Sequence, residues 1–514
     1  MLCLSLVVIG LDNTILNVAL PTLVRDLHAS ASDLQWMVDS YILVFAGLLL
    51  TAGSLGDRFG RKKALSTGLL IFVAGSVLSA FSGSASLLIA TRALMGVGGA
   101  LIMPATLSIL TNTFTNPAER AKAIGVWAGV AGMGIAVGPI TGGWLLQNFW
   151  WGSVFLVNVP IVVIALVAGH YLVPDSRDPA APRLDPVGAG LSIAGLTTLV
   201  WAIIEAPSHG WTSPTIVVGY AVAAVILVSF IAWERHSDHP MLDVRIFENP
   251  RFSAASAAIT LVFFAMFGSF FVLTQYLQNV RGYTALQAGV RMAPIALVMF
   301  IAAPASSTIV RRLGSKAVVA GGLTIAAIGL GVFSQLQENS SYGILLVAIL
   351  ILGLGMSLTM APATESIMGS LPREKAGVGS AVNDTTRQVG GALGVAILGS
   401  LLSSAYASRV ASALSGHGLS AATTAAAKDS LGGALATANQ LGGQPGQALA
   451  AAARHGFVGA MGPTFLVAAA VALVGAVIVV AFLPARAVDE SAVPTAIAIP
   501  AGGSPEVSDL VAAQ

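Results

Sequence analysis

"GSLGDRFGRKKAL", Gly53 to Leu65, places five ionised side chains among the seven residues from Asp57 to Lys63. On either side lie nearly uncharged runs of about 20 residues, the length that crosses a bilayer as a helix. The stretch reads as a tight polar turn between two membrane spans. The rest of the chain agrees. Of 514 residues, 56% are hydrophobic and only 9% charged, and the mean hydropathy is +0.84. A soluble domain carries about a quarter charged residues, so the solvent of this chain is largely lipid. The ten-residue alternating segments of a membrane β-barrel are absent. A net charge of +2 gives no case for nucleic acid. The single cysteine, Cys3, excludes an intrachain disulfide and a thiolate metal cluster, and no metal site is expected.

Working outward from Gly53–Leu65, fourteen spans can be read: 4–24, 36–55, 64–83, 86–112, 121–146, 151–172, 186–206, 214–233, 252–276, 285–310, 317–336, 342–368, 376–404 and 459–483. Residues 4–24 lack a basic leader and run on into Asp12, so they read as a span and not a signal peptide. Cations set the orientation. One set of alternating loops holds Arg58, Arg61, Lys62, Lys63, Arg120, Lys122, Arg177, Arg183, Arg235, Arg245, Arg251, Arg311, Arg312, Lys316, Arg373 and Lys375. The other holds Arg25, Arg281, Arg409, Lys428 and Arg454. The first set is expected inside a cell (plasma) membrane. An even number of spans then puts both termini inside as well. The Ala/Ser/Gly-rich segment 405–456 becomes an external loop, and the Pro/Ala-rich tail 484–514 is expected to be disordered.

The chain also resembles itself. "MPATLSIL" (Met103–Leu110) returns as "APATESIM" (Ala361–Met368), and "DRFGRKKAL" (Asp57–Leu65) returns weakly as "RRLGSKAVV" (Arg311–Val319). "NPAERAKAIG" (Asn116–Gly125) and "LPREKAGVGS" (Leu371–Ser380) follow the first pair. Parallel repeats at nearly one offset mark a duplicated transporter frame. The expected organisation is an all-α membrane protein with a six-helix bundle over 1–172, an inserted helix pair within 173–251, and a second six-helix bundle over 252–483. Ionisable residues do not follow the repeat. Leu107 stands where the second copy has Glu365, Asp57 where it has Arg311, and Arg92 opposite an apolar position near Ile349.

These features resemble the major facilitator superfamily, in particular its fourteen-helix drug:proton antiporter branch. Gly53, Leu55, Asp57, Arg58, Gly60, Arg61, Lys62 and Leu65 match the family's loop between helices 2 and 3. Arg92, Gly96 and Gly99 match its helix 4, and Gly134, Gly138, Pro139, Gly142 and Gly143 complete the antiporter signature of helix 5. "LDNTILNVALP" (Leu11–Pro21) and "NDTTRQVGGALGVA" (Asn383–Ala396) look like the branch's helix 1 and helix 13 signatures. The resemblance implies outward export of amphiphilic small molecules in exchange for protons, with no cofactor beyond the proton gradient. The protein would work in the bilayer as a monomer and not as an enzyme. Export of an endogenous metabolite or lipid, and a non-transporting sensor or assembly role, are the alternatives. Helix 10 carries Arg291 and no acid, which argues against a preference for divalent organic cations.

Ionisable residues within spans are functional candidates because burying them is costly. Asp12 lies about two turns into span 1 and is a candidate proton carrier, with Asn13 and Asn17 one turn apart nearby. The resemblance makes Arg92 a coupling residue; it keeps its charge and needs a polar partner. Its face continues through Gly96 and Gly99, where another helix can come close. Asp39 reads equally as a solvated helix start or a proton entry point. Asp384 and Arg387 share a face of span 13, as a positioning ion pair or a cavity pair, and Glu365 is a cavity candidate. Gly134, Gly138 and Gly142 form a small-residue stripe suited to close helix contact, read with Pro139 as a hinge-like interface between bundles or a seal against proton leak. Phe263, Phe264, Phe267, Phe270 and Phe271 crowd span 9. Some of them are expected to face lipid, with Phe263, Phe267 and Phe271 as aromatic cavity candidates. Gly53, Asp57, Arg58, Gly60, Arg61 and Lys62 read as a latch that engages the opposite bundle.

Overall fold

The structure is a computed structural model and describes residues 1–114, 116–177, 184–371, 376–414 and 420–484. Arg183, Arg373, Lys375 and the tail beyond residue 484 lie outside the described residues, as do the side chains of Arg120 and Lys122 and the surroundings of Gly134. The first five helices are α1 (Leu2–Leu27), α2 (Ala31–Phe59), α3 (Arg61–Ala80), α4 (Ala85–Thr113) and α5 (Pro117–Asn148). The sixth span is broken into α6 (Ser153–Leu156) and α7 (Asn158–Leu172). Then come α8 (Pro186–His209), α9 (Pro214–His236) and α10 (Pro250–Gln275), which runs on into a π-turn over Tyr276–Val280. The tenth span is α11 (Ala285–Met292) with α12 (Pro294–Leu313), followed by α13 (Ser315–Phe333), α14 (Tyr342–Met368) and α15 (Ala376–Leu414). Two short helices, α16 (Ala421–Asp429) and α17 (Leu431–Leu441), lead into α18 (Gly443–Phe482). Among the described residues thirteen segments are long and apolar enough to cross a membrane; α5, with 32 residues, is the remaining span.

Local chemistry sets where the helices begin. Pro186, Pro214, Pro250 and Pro294 open α8, α9, α10 and α12, where a missing N–H costs nothing. Ser30 and Asp33 form a reciprocal capping box, which starts α2 at residue 31, a turn before the span read from hydropathy. Thr284 and Gln287 do the same for α11. The segment 405–456 is a correction to the loop expected from its composition. Apart from residues 415–419, outside the description, it is almost wholly helical. Its alanines favour helix, and Ser420 and Ser430 cap α16 and α17. Leu431, Ala434 and Ala438 are buried, and the Tyr406 hydroxyl donates to the Ala427 carbonyl.

Two sets of helices carry the core. α4 packs on α2 and α3, and α1 on α5; later in the chain α14 packs on α12 and α13, α18 on α13, and α10 on α15. The two sets meet where α2 touches α15, α5 touches α11 and α1 touches α10. α8 packs on α9 and also on both α2 and α15, so the inserted pair rests against both sets.

Candidate functional site

Arg92 is fully enclosed, with its side chain 2% exposed, and Asp12 opposite it is 0% exposed. Arg92 Nη1 donates to Asp12 Oδ2 at 2.5 Å, and Nε donates to the Met37 carbonyl at 3.1 Å. The guanidinium also lies 4.4 Å from the centre of the Tyr41 ring. Three helices, α1, α2 and α4, therefore converge on one ion pair. The small residues of α4 make this possible. A Cβ on Gly96 would strike the Tyr41 carbonyl, and one on Gly99 would crowd the Tyr41 hydroxyl. Met37 and Tyr41 escaped the sequence reading; the signal for them was the bare Gly96–Gly99 face, which named no partner. Asp12 Oδ1 has no hydrogen-bond partner, so the pair is only partly satisfied, with Asn158 adjacent. Asn17 donates to the Asn13 carbonyl and not to Asp12.

The helix 5 signature has two jobs. Gly138 and Gly142 back onto Leu11, Thr14 and Ile15 of α1, directly beside Asp12. Gly143 and Pro139 meet Ala285, Leu286 and Gly289 of α11. Only the second contact joins the two helix sets; Gly138 and Gly142 of the stripe pack within the first. Two polar clasps close the same end of the molecule. Gln278 Nε2 donates to the Val18 carbonyl at 2.8 Å, and Ser400 Oγ donates to Gln35 Oε1 at 3.2 Å.

Asp39 differs from the solvated helix start considered above. It is 0% exposed, and neither carboxylate oxygen has a hydrogen-bond partner. The capping box at Ser30 moves the helix start back and leaves Asp39 more than two turns inside α2. Asp384 and Arg387 do pair, at 3.6 Å. Arg387 also donates to Thr364 Oγ1 at 3.2 Å and lies 5.5 Å from the Phe263 ring centre, so α10, α14 and α15 share it. Glu365, one residue along from Thr364, is exposed. The expectation that some of the α10 phenylalanines face lipid is overturned: all five are at most 7% exposed. Phe263 stacks on Phe267, and Phe271 lines a cavity with Gln35, Gln275 and Asp429. α10 meets α1, α14, α15 and α18, which leaves its aromatic faces no lipid.

The Gly53–Leu65 turn keeps its acid to itself. Asp57 accepts from Arg61 Nε at 2.7 Å within the same turn, not from the second helix set. Gly60 takes φ +117°, a value an L side chain resists. The Arg61 N–H donates to the Ser176 carbonyl and Lys62 Nζ to the His170 carbonyl. Arg58 is exposed, and Gly53 touches the ring of Pro104. The two sets are thus clasped at the Val18–Gln35 end, while the turn at the other end is unlatched.

Two repeated helix sets clasped at one end, the first holding a buried ion pair, define a membrane transporter, and the chain belongs to the Major Facilitator Superfamily, whose profile matches residues 2–395. It is 38% identical over 478 residues to the multidrug efflux pump LfrA of Mycolicibacterium smegmatis, covering 93% of this chain and 94% of that one. It is 35% identical over 506 residues to the tetracenomycin C resistance and export protein of Streptomyces glaucescens, covering 97% and 93%. A solved bacterial homolog of the human lysosomal transporter Spinster, in an inward-facing and unoccupied conformation, shares the fold. Its TM-score is 0.63 at 19% identity, over 94% of this chain and 97% of that one.

Proposed function

We propose that the protein is a proton-coupled antiporter that exports amphiphilic drugs or antibiotics across the plasma membrane, with both termini cytoplasmic. The halves 1–172 and 252–483 rock about a midplane site, and the inserted pair within 173–251 follows them. The observation that carries this reading is the Asp12–Arg92 pair. A guanidinium at hydrogen-bonding distance favours an ionised carboxylate, and separation in apolar surroundings favours a protonated one. A change that parts Asp12 from Arg92 as the halves rock therefore binds a proton, and its reversal releases it. The names of the two exporters above support drugs as cargo. The buried phenylalanines and Arg387 around α10 supply a stacking and cation–π surface for an amphiphile entering from the unlatched end. The latch turn engages when that end closes, and Asp57 then exchanges Arg61 for a partner on the second half.

The test is a panel of toxic amphiphiles given to cells expressing the chain, with and without a proton uncoupler. Uncoupler-sensitive resistance and reduced accumulation are expected. Resistance that survives the uncoupler, or accumulation that never changes, removes the proposal.

A further inference from the structure

A second acid pair lies far from Asp12, between the inserted helices. Asp185 is the N-cap of α8 and is 7% exposed; Glu234 lies in the last turn of α9 and is 3% exposed. Asp185 is well supplied with donors. Oδ1 accepts from the Gly188 N–H at 2.8 Å, and the Trp233 indole N–H lies 3.0 Å from both oxygens. Glu234 is not. Its Oε2 accepts from the Leu242 N–H at 2.8 Å, but Oε1 has no partner. That orphan oxygen faces Asp185. A Cβ built on Gly188 would strike both Glu234 Oε1 and Asp185 Oδ2, so the two oxygens confront each other across a space kept clear by a glycine.

Two ionised carboxylates cannot share such a space cheaply. No cation is placed to relieve them among the described residues. Arg235 turns to Glu248, and Arg245 donates to the Arg235 carbonyl. The remaining groups against Glu234 are the backbone N–H groups of Met241 and Leu242. We propose that Asp185 and Glu234 form a second proton-binding site, outside the transport cavity, in which Glu234 Oε1 carries one proton and donates it to Asp185 Oδ2. The assignment follows from the donors. Asp185 already accepts from the Gly188 N–H and the indole, while Glu234 Oε1 is the oxygen without a donor, so the proton is placed on Glu234. No other bond changes: a proton from water binds, and it returns to water on release.

The site has a mechanical reach. Glu234 holds the linker at Leu242, and the neighbouring Met241 sulfur lies 3.1 Å from Thr51 Oγ1 of α2, less than two turns before Asp57. With the proton bound, α8, α9 and the linker are held together against α2. With it lost, two facing anions push α8 from α9 and loosen the linker. The proposal does not depend on what the protein exports.

Infrared spectra of the purified full-length protein across pH are the direct test. A buried carboxylic-acid C=O component is expected near neutral pH, beyond any contributed by the other buried acids, that is lost in Glu234→Gln and lost in Asp185→Asn, whose amide N–H would satisfy an ionised Glu234. Thermal unfolding gives a second reading. The folded state holds a proton that the unfolded chain releases, so the parent's melting temperature falls as pH rises through the titration. Glu234→Gln should be flat over the same range. Parent-minus-variant difference spectra that show no such component for either variant, or the same pH slope in parent and Glu234→Gln, overturn the proposal.

Discussion

At Gly60 the chain leaves α2 with φ +117° and enters α3; at Gly314 it leaves α12 with φ +82° and enters α13. Each glycine closes the preceding helix, Gly60 N–H onto the Gly56 carbonyl and Gly314 N–H onto the Val310 carbonyl. Beyond each turn the same crossing follows. Gly68 of α3 meets Gly98 of α4, and Gly322 of α13 meets Gly355 of α14, backbone against backbone. The side chains then diverge. Asp57 pairs with Arg61, while Arg311 donates to Thr308 in an exposed turn. Arg92 binds Asp12, while Ile349, near its counterpart, lines a small cavity with Ser269 and Leu352. Close backbone contacts are constraints of packing and recur in both halves. Charges are not needed for packing, and at these matched positions the ion pairs stand in the first half only, while the second half carries its own pair, Asp384–Arg387, at an unmatched place.

The largest effect that this contrast predicts is at Arg92. Arg92→Met leaves the Asp12 carboxylate buried and unpaired, a loss of about 3–5 kcal/mol, with uncoupler-sensitive export abolished. Ile349→Val in the other half should cost only ~0.5–1.5 kcal/mol and leave export intact. Thermal unfolding in detergent and drug accumulation measure both. Similar losses at the two sites would mean that the ion pair is only packing. Asp12→Asn sharpens the point, because it keeps the shape and removes the titrating group. Substrate-induced proton release from the purified protein should vanish in it. Unchanged release would move the coupling to Asp384 or Glu365.

A smaller effect tests the shared frame. Gly68→Ala and Gly322→Ala should each lower stability by about 1–3 kcal/mol, as overpacking does, and by similar amounts. Gly331→Ala, with nothing within 4 Å of its new methyl group, should be neutral or gain up to ~1 kcal/mol from helix propensity. A frame copied only in outline would show one crossing tolerant and the other not.

Much of this frame could be read from the residues. Hydropathy gives the spans, and the Gly60 turn and its copy at Gly314 are visible as repeated letters. The need of Arg92 for a close neighbour was legible in Gly96 and Gly99. What escaped depends on contacts distant in sequence. Asp39 was placed near a helix end because its apolar run starts at residue 36, whereas the Ser30–Asp33 capping box sets the real start. Some of the phenylalanines of α10 are expected at lipid because an aromatic helix face looks the same whether lipid or protein covers it. The segment 405–456 reads as a loop from its Ala, Ser and Gly content, although its alanines favour helix and the described part is helical. Asp185 and Glu234 each pass for an ordinary helix-end acid; only the packing of α8 on α9 brings them together at Gly188.

The smallest expected change in stability is at Asp57, and it divides the two turns most sharply by function. Its bridge to Arg61 is partly exposed, with side chains 16% and 31% accessible, and such pairs contribute at most about 1 kcal/mol. Asp57→Asn should therefore melt within that margin of the parent. The same holds for Arg311→Gln in the companion turn. Transport should separate them. In the arrangement seen here the halves are clasped through Gln278, Val18, Gln35 and Ser400, and Asp57 has fallen back on its own turn. Closing the Asp57 end offers that carboxylate a partner on the second half, and the asparagine variant offers no charge to meet it. Export at saturating substrate should fall several-fold in Asp57→Asn, with substrate affinity of the purified protein unchanged, while Arg311→Gln alters neither. If Asp57→Asn weakens binding and export equally, the turn is structural in both halves, and the charge difference between them carries no latch.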